Sequence, residues 1–570
     1  MEIITDNIYM NKVKNRNTYQ MTLDDDFIVS DSKPDVDKII RRQGEIIIDE
    51  YKIHGEKVDV RGRLKCTLLY ISNYENGSLH SIVETLPFNE RINMPNIDNN
   101  SVVTVIGELE DLTINIFNSR KISIKGLVSL HIKEEEMYGK KAIIEVSKDD
   151  KLETRSKSID LSQMIVNKKD IFRIKEDILL QSSKKNIEEI LYYDTCIVNC
   201  NTRVLDEKIG IKGDLVVFVV YSSEDDEYEC LEKEIPFSGE IELTEANEDM
   251  LCDIDVNIAE RNISVKPDDD GENRIIDIDI TLDLAIKLYQ EGTIQVLEDI
   301  YSNIQCITPI MDSAEYVKLF LKNNTTFKLS EKVILLEENR DILQVCNSIA
   351  NVKLDEVSIV KDGISVEGVL EINVLYISND DSKPLNATDV IIPFSHVIEV
   401  KDINEKCEYD IKTHVEQINI IMLSGSEIEI KVAINIDTIV FEKREETIMA
   451  NINEREFSKE ELKNMKSMVG YLVKDGDSLW SVAKRFYTTV DMLKEINKIV
   501  DRDIKKGDRL LIVRENKKRK EAYDSFICFL SFVIGINYYQ CIYTFSVVST
   551  EVVIPSRHFS SFSIVVSSVC

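Results

Sequence analysis

Of the eleven cysteines, only Cys196 and Cys200 lie close together; Cys66, Cys230, Cys252, Cys306, Cys346 and Cys407 are isolated. There is no Cys-x-x-Cys pair, and the six histidines never form His-x-x-x-His. Structural zinc needs clustered ligands at matched spacing, so no metal site is expected. The thiols read instead as reduced, small core hydrophobes. Carboxylates are the other candidate chemistry. A glycan hydrolase needs two of them across the scissile bond, yet among 103 Asp and Glu no local signature selects a pair. Neither Gly-x-x-x-x-Gly-Lys nor Gly-x-Gly-x-x-Gly occurs, so the usual phosphate cradles are missing. The expectation is a chain with no catalytic residue and no cofactor.

The elements that could position a site are read from size and balance first. At roughly 150 residues per domain, 570 residues make about four domains. Lys and Arg total 70 against 103 acids, a formal charge of −33. Such a chain repels phosphate backbones and anionic lipid, so no nucleic-acid partner is expected. Gly (19) and Pro (9) are scarce, which excludes a linker-rich or low-complexity protein. The start, Met1 to Asp6, has no basic n-region or apolar h-region, so a cytosolic product is expected.

One pattern occurs three times. It reads Asp35-Val36, Gly62, Leu69-Tyr70-Ile71-Ser72, Pro87-Phe88; then Asn186-Ile187, Gly213, Val220-Tyr221-Ser222-Ser223, Pro236-Phe237; then Asp341-Ile342, Gly368, Leu375-Tyr376-Ile377-Ser378, Pro393-Phe394. The Asp/Asn-to-Gly separation is 27 and the Gly-to-Tyr separation is 8 in every copy. Each glycine opens a short apolar run rich in branched residues, as in a strand, and marks a bulge or a close backbone approach. Alternating runs such as Ile276 to Leu284 and Ile428 to Ile434 follow, with Ile122 to Lys125 in the first copy. They predict antiparallel sheet with one wet face. Around the Asp/Asn positions (Pro34 to Ile40, Lys185 to Leu191, Arg340 to Cys346) apolar residues fall three or four apart. That spacing predicts a short helical turn, with Asp or Asn as its cap. A carboxylate needed for catalysis would be missing from the middle copy, where Asn186 stands. Tyr70, Tyr221 and Tyr376 read as half-buried, with hydroxyls reaching water. Repetition without a preserved acid, base or nucleophile points to a scaffold.

Residues 468–513 differ: nine Lys/Arg against seven Asp/Glu give them a net charge of +2. Tyr471 to Val473 reads as a strand, and Asp475-Gly476-Asp477-Ser478 as a capping turn. Leu479, Val482, Ala483 and Phe486 mark a first helix. Thr489 caps a second helix through Met492, Leu493 and Ile496, and Leu510 to Val513 returns as a strand. The series Tyr471-x-Val473-x-x-Gly476-Asp477-Ser478-Leu479-Trp480-x-Val482-Ala483, followed by Leu493, Asn497, Ile499, Gly507, Leu510 and Ile512, resembles the LysM family. Arg514 stands where many members end in Pro. The resemblance implies a βααβ fold that binds N-acetylglucosamine-containing glycans such as peptidoglycan. It places the groove at Gly476, Asp477, Ser478 and Leu479 on one side and Asn497, Lys498 and Ile499 on the other. Trp480, the single Trp, either stacks on a sugar or anchors the first helix. The same residues also define the fold: Asp477 and Ser478 can cap, while Leu479 and Ile499 can fill a core.

The Gly-x7-Tyr-x-Ser-x(13–15)-Pro-Phe framework resembles the spore coat-associated SPOCS domain. Three such units followed by one LysM domain is the arrangement of the clostridial SipL family. That resemblance implies a non-enzymatic morphogenetic protein in the mother-cell cytoplasm at the forespore surface, partnered with a SpoIVA-like sporulation ATPase and recruiting coat; peptidoglycan binding is the alternative. The expected fold is mainly β and multidomain: antiparallel β-rich units with short helices at 1–160, 161–310 and 311–460, then an α+β LysM domain at 467–514. Residues 515–570 stand apart. From 521 onward they hold four charged side chains, ten Ser and no Lys. Phe526 to Phe545 is uncharged behind Lys517-Lys518-Arg519-Lys520, the layout of a membrane anchor, but Asn537 to Gln540 are costly in hydrocarbon. A disordered or out-of-frame tail is favoured over the anchor and over a packed appendage.

Overall fold

A computed structural model describes residues 2–73, 78–97, 102–147, 152–223, 227–334, 342–380, 384–500 and 502–514. Each repeat is six antiparallel strands in two three-stranded sheets. The first holds β1 (Ile3–Ile28), β2 (Val36–His54), β3 (Lys57–Ser72), β4 (Leu79–Asn93), β5 (Val102–Asn118) and β6 (Lys121–Val146). The second holds β7 (Leu152–Leu179), β8 (Ile187–Leu205), β9 (Lys208–Ser223), β10 (Tyr228–Glu242), β11 (Leu251–Pro267) and β12 (Asn273–Ser302). The third holds β13 (Cys306–Ile334), β14 (Ile342–Val360), β15 (Gly363–Ser378), β16 (Leu385–Glu399), β17 (Cys407–Met422) and β18 (Glu427–Arg455). In the first repeat the sheets run β2-β3-β4 and β1-β6-β5, and the others follow suit. The predicted alternation is realised in β12, where Ile276, Ile278, Ile280, Leu282 and Leu284 are buried. The two sheets of each repeat close over such residues as a sandwich.

The predicted helical turns at Pro34–Ile40, Lys185–Leu191 and residues 340–346 are corrected: the described parts of these segments lead into or form β2, β8 and β14. Each strand opens with two register shifts three residues apart: Val36/Lys38 and Ile39/Arg41, Ile187/Glu189 and Ile190/Tyr192, Ile342/Gln344 and Val345/Asn347. A bulge inserts one residue against the partner strand. Two in succession turn a period of two into an apparent period of three, which imitates a helix. The second bulge carries Ile40, Leu191 and Cys346, and all three residues enter one cluster shared by the three repeats.

That cluster is one of several sites where equivalent residues meet around a pseudo-threefold axis. The extended ends of the outer sheets pack together through Ile8, Ile159 and Ala314, with Ala142, Val296 and Ile448. A further layer contains Ile143, Leu297 and Met449. Ion pairs cross the same boundaries, including Lys157–Glu446 and Lys412–Asp253, both at 2.5 Å. The β1–β6 ribbon alone pairs from Ile3 to Ile28, roughly 80 Å of chain at about 3.3 Å per residue.

After a short α1 (Lys459–Asn464), capped by Ser458 and Glu461, comes the C-terminal module: β19 (Met468–Leu472), α2 (Leu479–Phe486), α3 (Val490–Ile496) and β20 (Arg509–Val513). Strands β19 and β20 pair antiparallel, giving the expected βααβ order. Among the described residues no helix is long and apolar enough to cross a membrane. The proposed anchor or disordered tail lies outside the described residues.

Candidate functional site

The repeated residues are accounted for by packing. Gly62, Gly213 and Gly368 lie directly across the ladder from Phe88, Phe237 and Phe394. A Cβ on Gly62 would come within 2.5 Å of both the Ile47 carbonyl oxygen and the Phe88 ring. The strand partner of each glycine carries a bulge there, so both sequence readings of this glycine apply. Tyr70, Tyr221 and Tyr376 are fully buried rather than half-buried. The Tyr70 hydroxyl donates to the Pro34 carbonyl at 3.0 Å instead of reaching water, and burial pushes its pKa up to about 12. Ser72, Ser223 and Ser378 close the turn into the next strand, their N–H groups donating to the carbonyls of Ser78, Glu227 and Pro384. Asp35 and Asn186 cap no helix. They accept from Arg120 and Arg274, at 3.1 and 2.9 Å, and these arginines also donate to backbone carbonyls of the preceding turn. Sequence reasoning missed this clamp because the arginine stands some 85 residues downstream.

Among the described residues one trio of possible metal ligands converges: Glu108, Glu110 and His131. The ring of His131 lies 3.1 Å from Glu108 and 3.2 Å from the Thr18 hydroxyl. Glu108 is exposed, and Glu110 and His131 are partly buried.

The C-terminal loops are the remaining candidate. Gly476 has φ +82° and is exposed; this left-handed backbone is what makes glycine suitable in the turn. Asp477 accepts from the Tyr471 hydroxyl at 2.6 Å and from the Lys474 N–H at 2.8 Å, with Arg485 beside it. Burial pushes its pKa up, but these donors and the Arg485 charge outweigh that and hold it below the ordinary carboxylate value. Ser478 caps α2 in a reciprocal box with Ser481. Leu479 packs against the module's core, in which Ile499 is 6% exposed. Asn497 spends its side chain on the Leu493 and Leu511 carbonyls and the Leu511 N–H, tying α3 to β20. Lys498 is exposed with φ +52°. Of the eight residues, then, Gly476, Ser478 and Lys498 face solvent, whereas Asn497 and Ile499 hold the fold. Val500, 76% exposed beside Lys498, was missed by sequence reasoning; an apolar residue just past the loop was its only signal.

Trp480 is placed apart from the solvent-facing loop residues. Its indole N–H donates to Asp299 at 2.8 Å, its ring meets Tyr301 edge-on at 5.0 Å, and Arg155 lies over it at 5.4 Å. Lys484 pairs with the same Asp299 at 2.5 Å, and the buried Tyr301 hydroxyl donates to the Thr488 carbonyl at 2.9 Å. Asp299 and Tyr301 belong to β12, so the module is seated on the end of the second repeat's ribbon.

Comparison with known families bears on both parts. The SipL, SPOCS domain family matches residues 35–117, 186–266 and 341–423, and the LysM domain family matches 471–513. The first span runs from the start of β2 into β5, leaving the β1–β6 ribbon outside it. No curated protein and no solved structure matches the chain.

Proposed function

We propose, for a SipL-like chain of three SPOCS domains and a C-terminal LysM domain, a non-enzymatic scaffold of spore coat assembly. These domain types are non-catalytic binding modules, and together they fit a sporulation-related role in binding protein or cell wall. In the finer reading the LysM head binds a SpoIVA-like coat ATPase, in the mother-cell cytoplasm at the forespore surface, and promotes coat assembly. The carrying observation is the seating of the head. Trp480, Lys484 and Thr488 are spent on the body, while Gly476, Ser478, Lys498 and Val500 stay exposed. A head seated by these contacts at one end of a threefold body suits a connector, since fixing a binding face lowers the entropic cost of engaging a partner.

The test uses the full chain with K498E and V500E together, two exposed positions whose loss leaves the core intact. Capture of a purified SpoIVA-like ATPase should fall at least tenfold; unchanged capture would remove this face from the assignment. The LysM match also supports a second reading, peptidoglycan binding. Co-sedimentation with purified cell wall separates the two, because the protein-partner reading predicts no dependence on glycan.

A further inference from the structure

We propose that Glu108, Glu110 and His131 of the first repeat bind a divalent first-row transition ion such as zinc. In sequence the histidine stands 21 residues beyond the nearer glutamate, and no local motif links them. The pairing of β5 with β6 brings the three together, and their ligand atoms all lie within 4.8 Å of one another. His131 Nε2 is 3.1 Å from a Glu108 oxygen. Donors bound at about 2.0–2.2 Å around one tetrahedral ion lie roughly 3.3–3.5 Å apart, so this pair already stands near that spacing.

Contacts from outside the trio orient it. His131 Nδ1 lies 3.2 Å from the Thr18 hydroxyl on β1, which fixes the ring and leaves Nε2 to face the ion. Glu110 is the residue added by the bulge between Leu109 and Asp111, and bulges re-aim side chains beside a site. Its carbonyl accepts from Lys353 of the third repeat at 2.7 Å, and Glu371 at 3.0 Å takes up that lysine's charge. One imidazole with two carboxylates suits zinc and its neighbours better than the all-oxygen sites of calcium or magnesium. Three protein donors leave the fourth position to water.

The other repeats supply an independent comparison. Glu108 faces Ser129 across the ladder, and the equivalent pair in the third repeat is His414 with Asn435. The bulge position of Glu110 is taken there by Glu416, and the position of His131 by Asp437. One imidazole and two carboxylates therefore recur at the same three places, with the histidine on the middle strand in one repeat and on the edge strand in the other. The chain has only six histidines, and two of them fall here. Thr18 is matched as well: Asn324 lies opposite Asp437 and donates to it at 2.5 Å. Asn435 adds a buried side-chain oxygen with no hydrogen-bond partner beside these acceptors, an arrangement that calls for a cation or a water. In the second repeat the three positions hold Asn257, Ala259 and Ala285, and the donor set is gone.

The test titrates the full-length chain with cobalt(II), a visible stand-in for zinc. Saturable ligand-field absorption without thiolate charge transfer is expected, and the number of ions bound should fall by one in H131A and in the double variant E108Q/E110Q. The side chains of Glu108 and His131 are 49% and 41% exposed, so the variants should fold, which far-ultraviolet circular dichroism checks. T18V keeps all three donors and should weaken the ion at least roughly tenfold by freeing the ring. An unchanged ion count in H131A, or cobalt bound through thiolates alone, would overturn the proposal. Should H131A or the double variant fail to fold, parental affinity in T18V overturns it instead.

Discussion

Arg41 and Asn347 occupy the same position in the first and third repeats, and the Arg41 guanidinium donates to the Asn347 side chain at 2.9 Å. The third member of the set, Tyr192, lies under that guanidinium at 5.2 Å from its ring centre. Arg41 is 2% exposed and also donates to Asn373 at 2.8 Å. Three equivalent positions thus hold three different side chains that satisfy one another. The order of the repeats around the axis is written into this contact.

Replacing Arg41 by Ala strands the Asn347 and Asn373 acceptors and opens space over Tyr192. A loss of roughly 2–4 kcal/mol is expected, since buried partners left unsatisfied cost most. Urea unfolding followed by tyrosine fluorescence measures it; a change under roughly 0.5 kcal/mol, the ordinary surface range, would mean the contact is dispensable.

The glycines separate by sign. Gly62→Ala must push against a backbone oxygen 2.5 Å away, and should cost at least roughly 2 kcal/mol. Gly292→Ala meets nothing within 4 Å. It should be neutral or stabilising by about 0.5 kcal/mol, through the unfolded chain. Differential scanning calorimetry of the two variants would show opposite or clearly unequal shifts.

Acid should loosen the boundary between the first two repeats. Burial pushes Glu135 up, yet ion pairs with Lys133 at 2.6 Å and Lys287 at 3.3 Å outweigh this and hold it at about 2. The folded value lies below the ordinary 4.5, so its contribution is fully present above about pH 4.5 and is lost as pH falls toward 2. By linkage this is at most roughly 3 kcal/mol. The slope of stability against pH in that window should flatten in E135Q; an identical slope would assign the acid sensitivity to other groups.

Trp480→Phe keeps a ring beside Tyr301 and deletes the donor to Asp299. Seating of the head should weaken by about 1–2 kcal/mol. Protease cleavage in the linker 456–467 should then quicken several-fold while the body stays intact, and cleavage at the parental rate would contradict the seating.

The threefold repetition was legible because constant offsets between Gly, Tyr and Pro-Phe survive any drift of the residues between them. Strand runs were legible where one face is wet, as in Ile276 to Leu284. The openings of β2, β8 and β14 were misread because paired bulges borrow a helix's spacing. The seating of Trp480 could not be read at all, since Asp299 lies 181 residues away and nothing local distinguishes it from other acids. Asn497 shows a different limit: carried over as a binding candidate, its side chain is hydrogen-bonded as a staple between α3 and β20, which its spacing alone does not reveal.

The three repeats meet around a pseudo-threefold axis, but a single LysM head is seated, on the second repeat alone. An assembly built from such bodies would therefore display one anchoring point for every three repeats, each in the same orientation relative to its own body.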